Sequence, residues 1–299
     1  MRKGVKVLKN NNFNQNRLWI LFITPVFLYL LIAQIYPLFS VLRMSFFIDR
    51  LGESVFVGLK NYIDLFNTKK FWDIFRNTFV FTVASVSLHI LVGLTIAVLL
   101  SEEIKFKRLL RALQLVPWLF PPVVACIFWL LLYQQQLGLI NKFLLLVGLS
   151  RFTYEWLGNP TTAMLAVIIC NVWVGFAFFA LMLNVSIQLI PKSLYEAAEI
   201  DGASKWTCFT RITLPFLKPI ILTLSVLDAI WSYRVFDQVF ILTRGGPVHF
   251  TELLSVYTYK TAFNEFNFNK AAAIGGCSLI MLMIFAFIYL KIYSRSDEI

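Results

Sequence analysis

The segment Pro191-Lys-Ser-Leu-Tyr-Glu-Ala-Ala-Glu-Ile-Asp-Gly202 is an ordered polar stretch set between two long apolar runs. Ser193 and Glu196 have the spacing of a capping box, in which a hydroxyl and a carboxylate satisfy each other's backbone N–H groups at a helix start. Gly202 suits the left-handed position that ends a helix. The pattern predicts a short helix over Leu194–Asp201. Glu196, Glu199 and Asp201 surround the small pair Ala197 and Ala198, so its face is smooth and negatively charged. A helix this short is marginal alone. It either caps the turn between the two runs or presents a surface that another protein covers.

Working outward, six apolar runs are long enough for a hydrocarbon core of roughly 30 Å, which takes about 20 helical residues. They are Leu18–Leu42, Asn77–Leu100, Leu109–Tyr133, Thr161–Leu183, Leu214–Tyr233 and Ala271–Tyr293. The expected architecture is an all-α polytopic membrane protein: a tail at 1–17, a six-span region at 18–293 with the polar loop 190–213 between spans four and five, and a tail at 294–299. The fifth run contains Pro215, Lys218 and Pro219. Placed in its first turns, the prolines lack N–H groups that would be unpaired anyway and the lysine can snorkel. Pro117, Pro121 and Pro122 are expected to break the third span.

Composition agrees. In 299 residues, 59% are hydrophobic and only 14% charged, too few for a soluble surface. The net charge of +11 does not point to nucleic acid, because Lys and Arg fall between the apolar runs instead of gathering on one soluble face. They instead mark orientation. Arg2, Lys3, Lys6, Lys9 and Arg17 precede the first run, which is too long for a cleaved signal peptide and reads as a retained signal-anchor. Basic residues are denser on the side that holds both tails, which places both termini in the cytoplasm. Asp49, Glu53, Asp64 and Asp73 partly offset the basic residues of the first outer loop. Cys126, Cys170 and Cys277 lie in spans and Cys208 in a cytoplasmic loop, so no disulfide is expected.

The chain lacks a phosphate-binding G-x-x-x-x-G-K-[ST] loop and an H-E-x-x-H zinc motif. Its two histidines, His89 and His249, are far apart, and His89 on an apolar run reads as a satisfied interior histidine. No catalytic, cofactor or metal residue is assigned. Such a protein moves or senses a solute.

The longer pattern around the polar segment is Glu196-Ala197-Ala198, three residues, Gly202, nine residues, then Ile212-x-Leu214-Pro215. It resembles the EAA loop of the membrane subunits of bacterial ABC importers. Val57-Gly-Leu-Lys-Asn-Tyr62, Phe71-Trp72 with Asn77-Thr78, Gly138-Leu-Ile-Asn141, Leu242-Thr-Arg-Gly-Gly-Pro247 and Tyr259-x-x-Ala-Phe263 with Lys270-Ala-Ala-Ala273 resemble motifs of that family's carbohydrate-uptake branch. The resemblance implies a multi-pass subunit of the bacterial plasma (inner) membrane. Its partners would be a second, homologous permease subunit, two ABC ATPase subunits that bind the ATP and Mg, an extracytoplasmic solute-binding protein and the lipid bilayer. It implies that Glu196, Ala197, Ala198, Asp201 and Gly202 couple the chain to the ATPase, Glu196 through its charge.

The same resemblance implies a solute path. Asn171-Val-Trp-Val-Gly175-Phe-Ala-Phe178 is similar to a stretch that lines the sugar in the maltose permease, with Phe178 in place of a tyrosine. Asp228, Trp231 and Ser232 fall at the corresponding place on the fifth span. At i, i+3 and i+4 they share one helical face and offer a carboxylate, an indole and a hydroxyl. Two fates are open to Asp228: hydrogen bonding to solute, or an ion pair with Arg234 or a charge on another helix. Trp231 either meets solute or anchors at the membrane interface. Gln114 is expected to serve helix packing. The rival function is a secondary transporter driven by an ion through Asp228, which should show an inverted repeat that is not evident here.

Overall fold

The computed structural model describes residues 22–296 apart from Leu51 and Glu103. The tail expected at 1–17, the start of the first span and the last three residues lie outside the described residues. The chain runs α1 (Phe22–Met44), β1 (Phe47–Arg50), β2 (Glu53–Phe56), α2 (Lys60–Phe66), α3 (Lys69–Leu99), α4 (Lys107–Leu119), α5 (Pro122–Leu132), α6 (Leu139–Leu146), α7 (Pro160–Gln188), α8 (Lys192–Ile200), α9 (Lys205–Tyr233), α10 (Asp237–Leu242), α11 (Leu254–Phe263) and α12 (Phe268–Ser296). Among the described residues, α1, α3, α7, α9 and α12 are each long and apolar enough to cross a membrane, and the pair α4–α5 makes another if counted as one span.

That pair bends by 97°. Phe120 and Pro121 are extended between the two helices, because a residue followed by proline is pushed out of the α region. The expected break in the third span is therefore present. Prolines act differently in α1 and α9. Each carries a π turn, Leu31–Ile35 and Phe209–Thr213, shortly before Pro37 and Pro215. A proline ring clashes with the carbonyl four residues back, and a wider turn removes that clash without ending the helix. The fifth span therefore starts earlier than the sequence suggests. It begins at Lys205, capped by Ser204, and Pro215 lies in its interior instead of its first turn.

The expectation of an all-helical chain needs one correction. The segment after α1 folds into an antiparallel hairpin pairing Phe47 with Phe56 and Arg50 with Glu53, turned at Gly52 with φ +89°. The motif Val57–Tyr62 fastens it. Asn61 Nδ2 donates to the Ser45 and Phe47 carbonyls at 2.8 Å each, and Tyr62 Oη shares a hydrogen bond with Ser45 Oγ. Asn77 and Thr78 tie the start of α3 to the loop before α11: Asn77 Nδ2 donates to the His249 carbonyl, and the Leu254 N–H donates to Thr78 Oγ1. Asn141 likewise donates to the Gln135 and Tyr154 carbonyls and accepts from Trp156 Nε1. These motifs build one end of the molecule.

The core is the packing of α3 on α7, with α9 against both. A side chain at Gly93 would collide with Phe179, so this glycine sets how closely α3 and α7 approach. Asn184 joins three elements, donating to the Ala97 carbonyl and accepting from Arg111 and Gln188. In contrast, α1 leans chiefly on α12 and has no buried residue.

Candidate functional site

Two regions gather the residues singled out in the sequence. The first is α8 and its flanks. The helix spans Lys192–Ile200 and none of its residues is buried. It starts two residues before the expected Leu194, so Ser193 lies inside the first turn and no side chain caps the N-terminus. The capping box does not form: Pro191, whose fixed φ suits a helix entry, does that job instead. At the other end Asp201 is the cap, and Gly202 takes φ +76° as expected. There the Gly202 N–H donates to the Glu199 carbonyl and the Ala203 N–H to that of Ala198.

Glu196 and Ala197 are exposed, Ala198 half-buried, and Asp201 and Gly202 exposed. Among the described residues Glu196 has no hydrogen-bond or ion-pair partner, so its carboxylate is free for one outside the chain. Ile200 is 86% exposed, and Leu189, Leu194 and Trp206 are exposed beside it. Large apolar side chains clustered around an acidic helix at the tip of a loop mark an interaction surface.

The second region is where α3, α7 and α9 cross. Asp228 and Ser232 are buried, at 3% and 2% exposure. Asp228 Oδ2 lies 2.7 Å from His89 Nδ1 of α3, and Ser232 Oγ donates to Asp228 Oδ1. On the far side of the imidazole, Nε2 donates to the Asn171 carbonyl at 3.1 Å. Phe179 stacks on the ring at 5.3 Å, and a side chain at Gly175 would overlap it. A carbonyl can only accept, so Nε2 carries a hydrogen. One further proton then lies between Nδ1 and Oδ2, and the pair is neutral overall. Of the two fates for Asp228, the structure shows pairing, with His89 and not with Arg234.

The shared face of Asp228, Trp231 and Ser232 is therefore divided. Trp231 is 51% exposed, while the carboxylate and hydroxyl turn inward. Trp231 meets Phe178 edge-on at 5.4 Å, and Phe178 meets Trp118 at 6.0 Å. Trp118 is exposed and lies on α4 just before the bend. Three elements thus contribute aromatic rings to one face, with the polar cluster behind it. The side-chain amide nitrogen of Asn171 is buried without a hydrogen-bond partner in the described chain, as is the Gln114 carbonyl oxygen. His89 as the partner of Asp228, and Trp118 as a member of the aromatic face, were not assigned from sequence. Only the rarity of an ionisable residue in an apolar run marks the first, and the proline break beside it marks the second.

A family model for the binding-protein-dependent transport system inner membrane component matches residues 89–296, most of the chain. The chain belongs to this family.

The permease is 36% identical to the trehalose/maltose transport system permease of Thermococcus litoralis over 285 residues, covering 94% of this chain and 95% of that one. It is 32% identical to the diacetylchitobiose uptake system permease of Streptomyces coelicolor, covering 87% and 79% of the two chains. A bacterial ABC transporter involved in import of the acidic polysaccharide alginate has the same fold, with a TM-score of 0.82 at 21% identity over 94% of this chain and 97% of that one. The permease is thus a multi-pass inner-membrane subunit of an ABC importer and not an enzyme. The match begins at His89, so α1, the hairpin and most of α3 lie before it.

Proposed function

We propose that the permease forms half of an import path for a neutral carbohydrate and transmits the work of a separate ATPase through α8. Six spans cross the membrane with both termini in the cytoplasm, counting the bent pair α4–α5 as one. The end carrying α8 is then cytoplasmic, and the end carrying the hairpin and α11 receives a solute-binding protein. Two ATPase subunits bind the ATP and Mg, and a second permease subunit completes the path. With no buried residue of its own, α1 is left for lipid and for that second subunit.

The observation that carries this reading is the exposure of α8. An acidic helix without buried residues, carrying exposed Leu194 and Ile200 and followed by exposed Trp206, is not built to stabilise its own chain. Glu196 supplies a charge for a basic residue of the ATPase, Ala197 and Ala198 permit close approach, and Asp201 with Gly202 turns the chain back toward α9. At the other region, Trp118, Phe178 and Trp231 offer flat apolar faces to the C–H side of a sugar ring. Asn171 and Gln114 hold unmet hydrogen-bonding capacity near that depth of the spans. Asp228, Ser232 and Gly175 act from behind by fixing His89. With the carboxylate neutralised by His89, the face carries no net charge, which suits an uncharged sugar. The relatives named for trehalose, maltose and diacetylchitobiose support the same class.

Affinity purification of the intact chain from its native membrane tests the assembly. A second permease and an ATPase should co-elute, and Glu196→Lys should release the ATPase while leaving the permease pair together. Retention of the ATPase by Glu196→Lys would remove α8 from the interface.

A further inference from the structure

Because α8 has no buried residue, it can pass a displacement to the spans only through its two connecting turns or through side chains that bridge to them. Neither turn is a rigid link: Gly202, at φ +76°, has the widest backbone range of any residue, and Pro191 fixes only its own φ and leaves ψ free to rotate. Among the described residues, a single side-chain hydrogen bond and no ion pair joins α8 to the rest of the permease. It is Tyr195 Oη to Thr213 Oγ1, at 2.8 Å. Tyr195 and Ala198, three residues apart, are the half-buried positions of the helix, while Leu194, Glu196, Ala197 and Ile200 face away. The nearby Lys205–Glu102 pair starts from α9 and is exposed, with a separation of 3.3 Å, so it contributes little.

Thr213 is no ordinary anchor. It is buried, and it is the last residue of the π turn Phe209–Thr213 at the base of α9. A π turn holds one residue more than a regular turn and interrupts the regular hydrogen-bond ladder of the helix. A pull on Thr213 thus reaches α9 where that ladder is already broken. The same helix carries Asp228 and Trp231, the former about 22 Å further along at 1.5 Å per residue.

We infer that Tyr195 and Thr213 are positioning residues for transport: their hydrogen bond is the strut that makes α9 follow α8. This rests on the reading that α8 engages an ATPase. Without the strut the helix would still dock, but the turns at Pro191 and Gly202 would absorb much of its movement.

The test uses the whole transporter in proteoliposomes with its binding protein. Tyr195→Phe and Thr213→Val each delete one hydroxyl and keep the side chain's shape. The expected result is ATPase co-purification and ATP hydrolysis within about twofold of wild type, with sugar moved per ATP reduced about fivefold, the equivalent of losing one neutral hydrogen bond. The double variant should be no worse than either single one, since both remove the same bond. Thr213→Ser, which keeps the hydroxyl, should restore the ratio. An unchanged ratio in both single variants overturns the proposal, as does a loss of assembly and hydrolysis in proportion to transport, which marks a purely structural role. Failure of the underlying reading looks different: the wild-type permease would then purify without an ATPase.

Discussion

His89 Nδ1 and Asp228 Oδ2 lie 2.7 Å apart, joining α3 to α9 across the buried centre of the permease. The partners are 139 residues apart in the chain, and the far imidazole nitrogen reaches α7 through the Asn171 carbonyl. One neutral pair thereby ties three spans. Removing one member of a buried pair leaves an uncompensated polar group or charge. His89→Ala should therefore destabilise the permease by about 3–5 kcal/mol, since a carboxylate is stranded. Asp228→Ala strands only an imidazole nitrogen and should cost about 1–3 kcal/mol. Asp228→Asn should be the mildest, because the amide can donate to a neutral Nδ1. Thermal unfolding of the purified complex should rank the variants in that order.

Gly175→Ala is expected to destabilise, although alanine is the better helix former by about 1 kcal/mol. The added methyl would overlap His89 and push the ring off Asp228 or Asn171. A lower unfolding temperature with slower transport is the expected outcome. Combining it with His89→Ala should recover part of the loss, since the cavity then has room, and the same thermal measurement reads that interaction.

The aromatic face should govern solute affinity and not assembly. Losing one stacked ring removes an interaction of about 1–1.5 kcal/mol. Trp231→Ala and Phe178→Ala should each raise the KM for sugar uptake about tenfold. The yield of assembled complex should stay unchanged. A binding isotherm for the sugar on the detergent-solubilised complex checks this directly.

Ser193→Ala should be silent, because Pro191 opens α8 and no hydroxyl caps it. Glu196→Gln should also leave the unfolding temperature unchanged, yet lower ATP-driven uptake at least tenfold. Stability and uptake measured on one preparation separate an external role for this carboxylate from an internal one.

Periodicity and length located the apolar helices, since a helix that must satisfy its own backbone in lipid leaves a long unbroken signal, but α3 and α9 begin at Lys69 and Lys205, well before the expected Asn77 and Leu214, because their first turns are polar. The bend between α4 and α5 was legible because proline acts through its covalent geometry. The hairpin was not, as four-residue strands leave no periodic trace. The missing capping box reflects competition between two adequate solutions, Ser193 and Pro191, which differ by too little for local pattern to decide. At the second region, the family resemblance put Asn171, Gly175, Phe178, Asp228, Trp231 and Ser232 on one solute path, but the sequence could not say which faced outward. That depends on His89, whose contact with Asp228 is set by how α3 and α9 cross, and helix crossing is a tertiary property. Gly175 has the same origin: its missing side chain matters only because the imidazole occupies the space.

The most direct measurement is uptake of labelled maltose, trehalose or diacetylchitobiose into proteoliposomes holding the permease with its co-purified partners and binding protein. The ATP supply and the ion gradient are varied independently. Uptake of at least one of these sugars should require ATP and the binding protein, persist in the presence of an uncoupler, and vanish with Glu196→Lys. Uptake that continues without ATP and collapses with the uncoupler would contradict the account and return Asp228 to the role of an ion carrier.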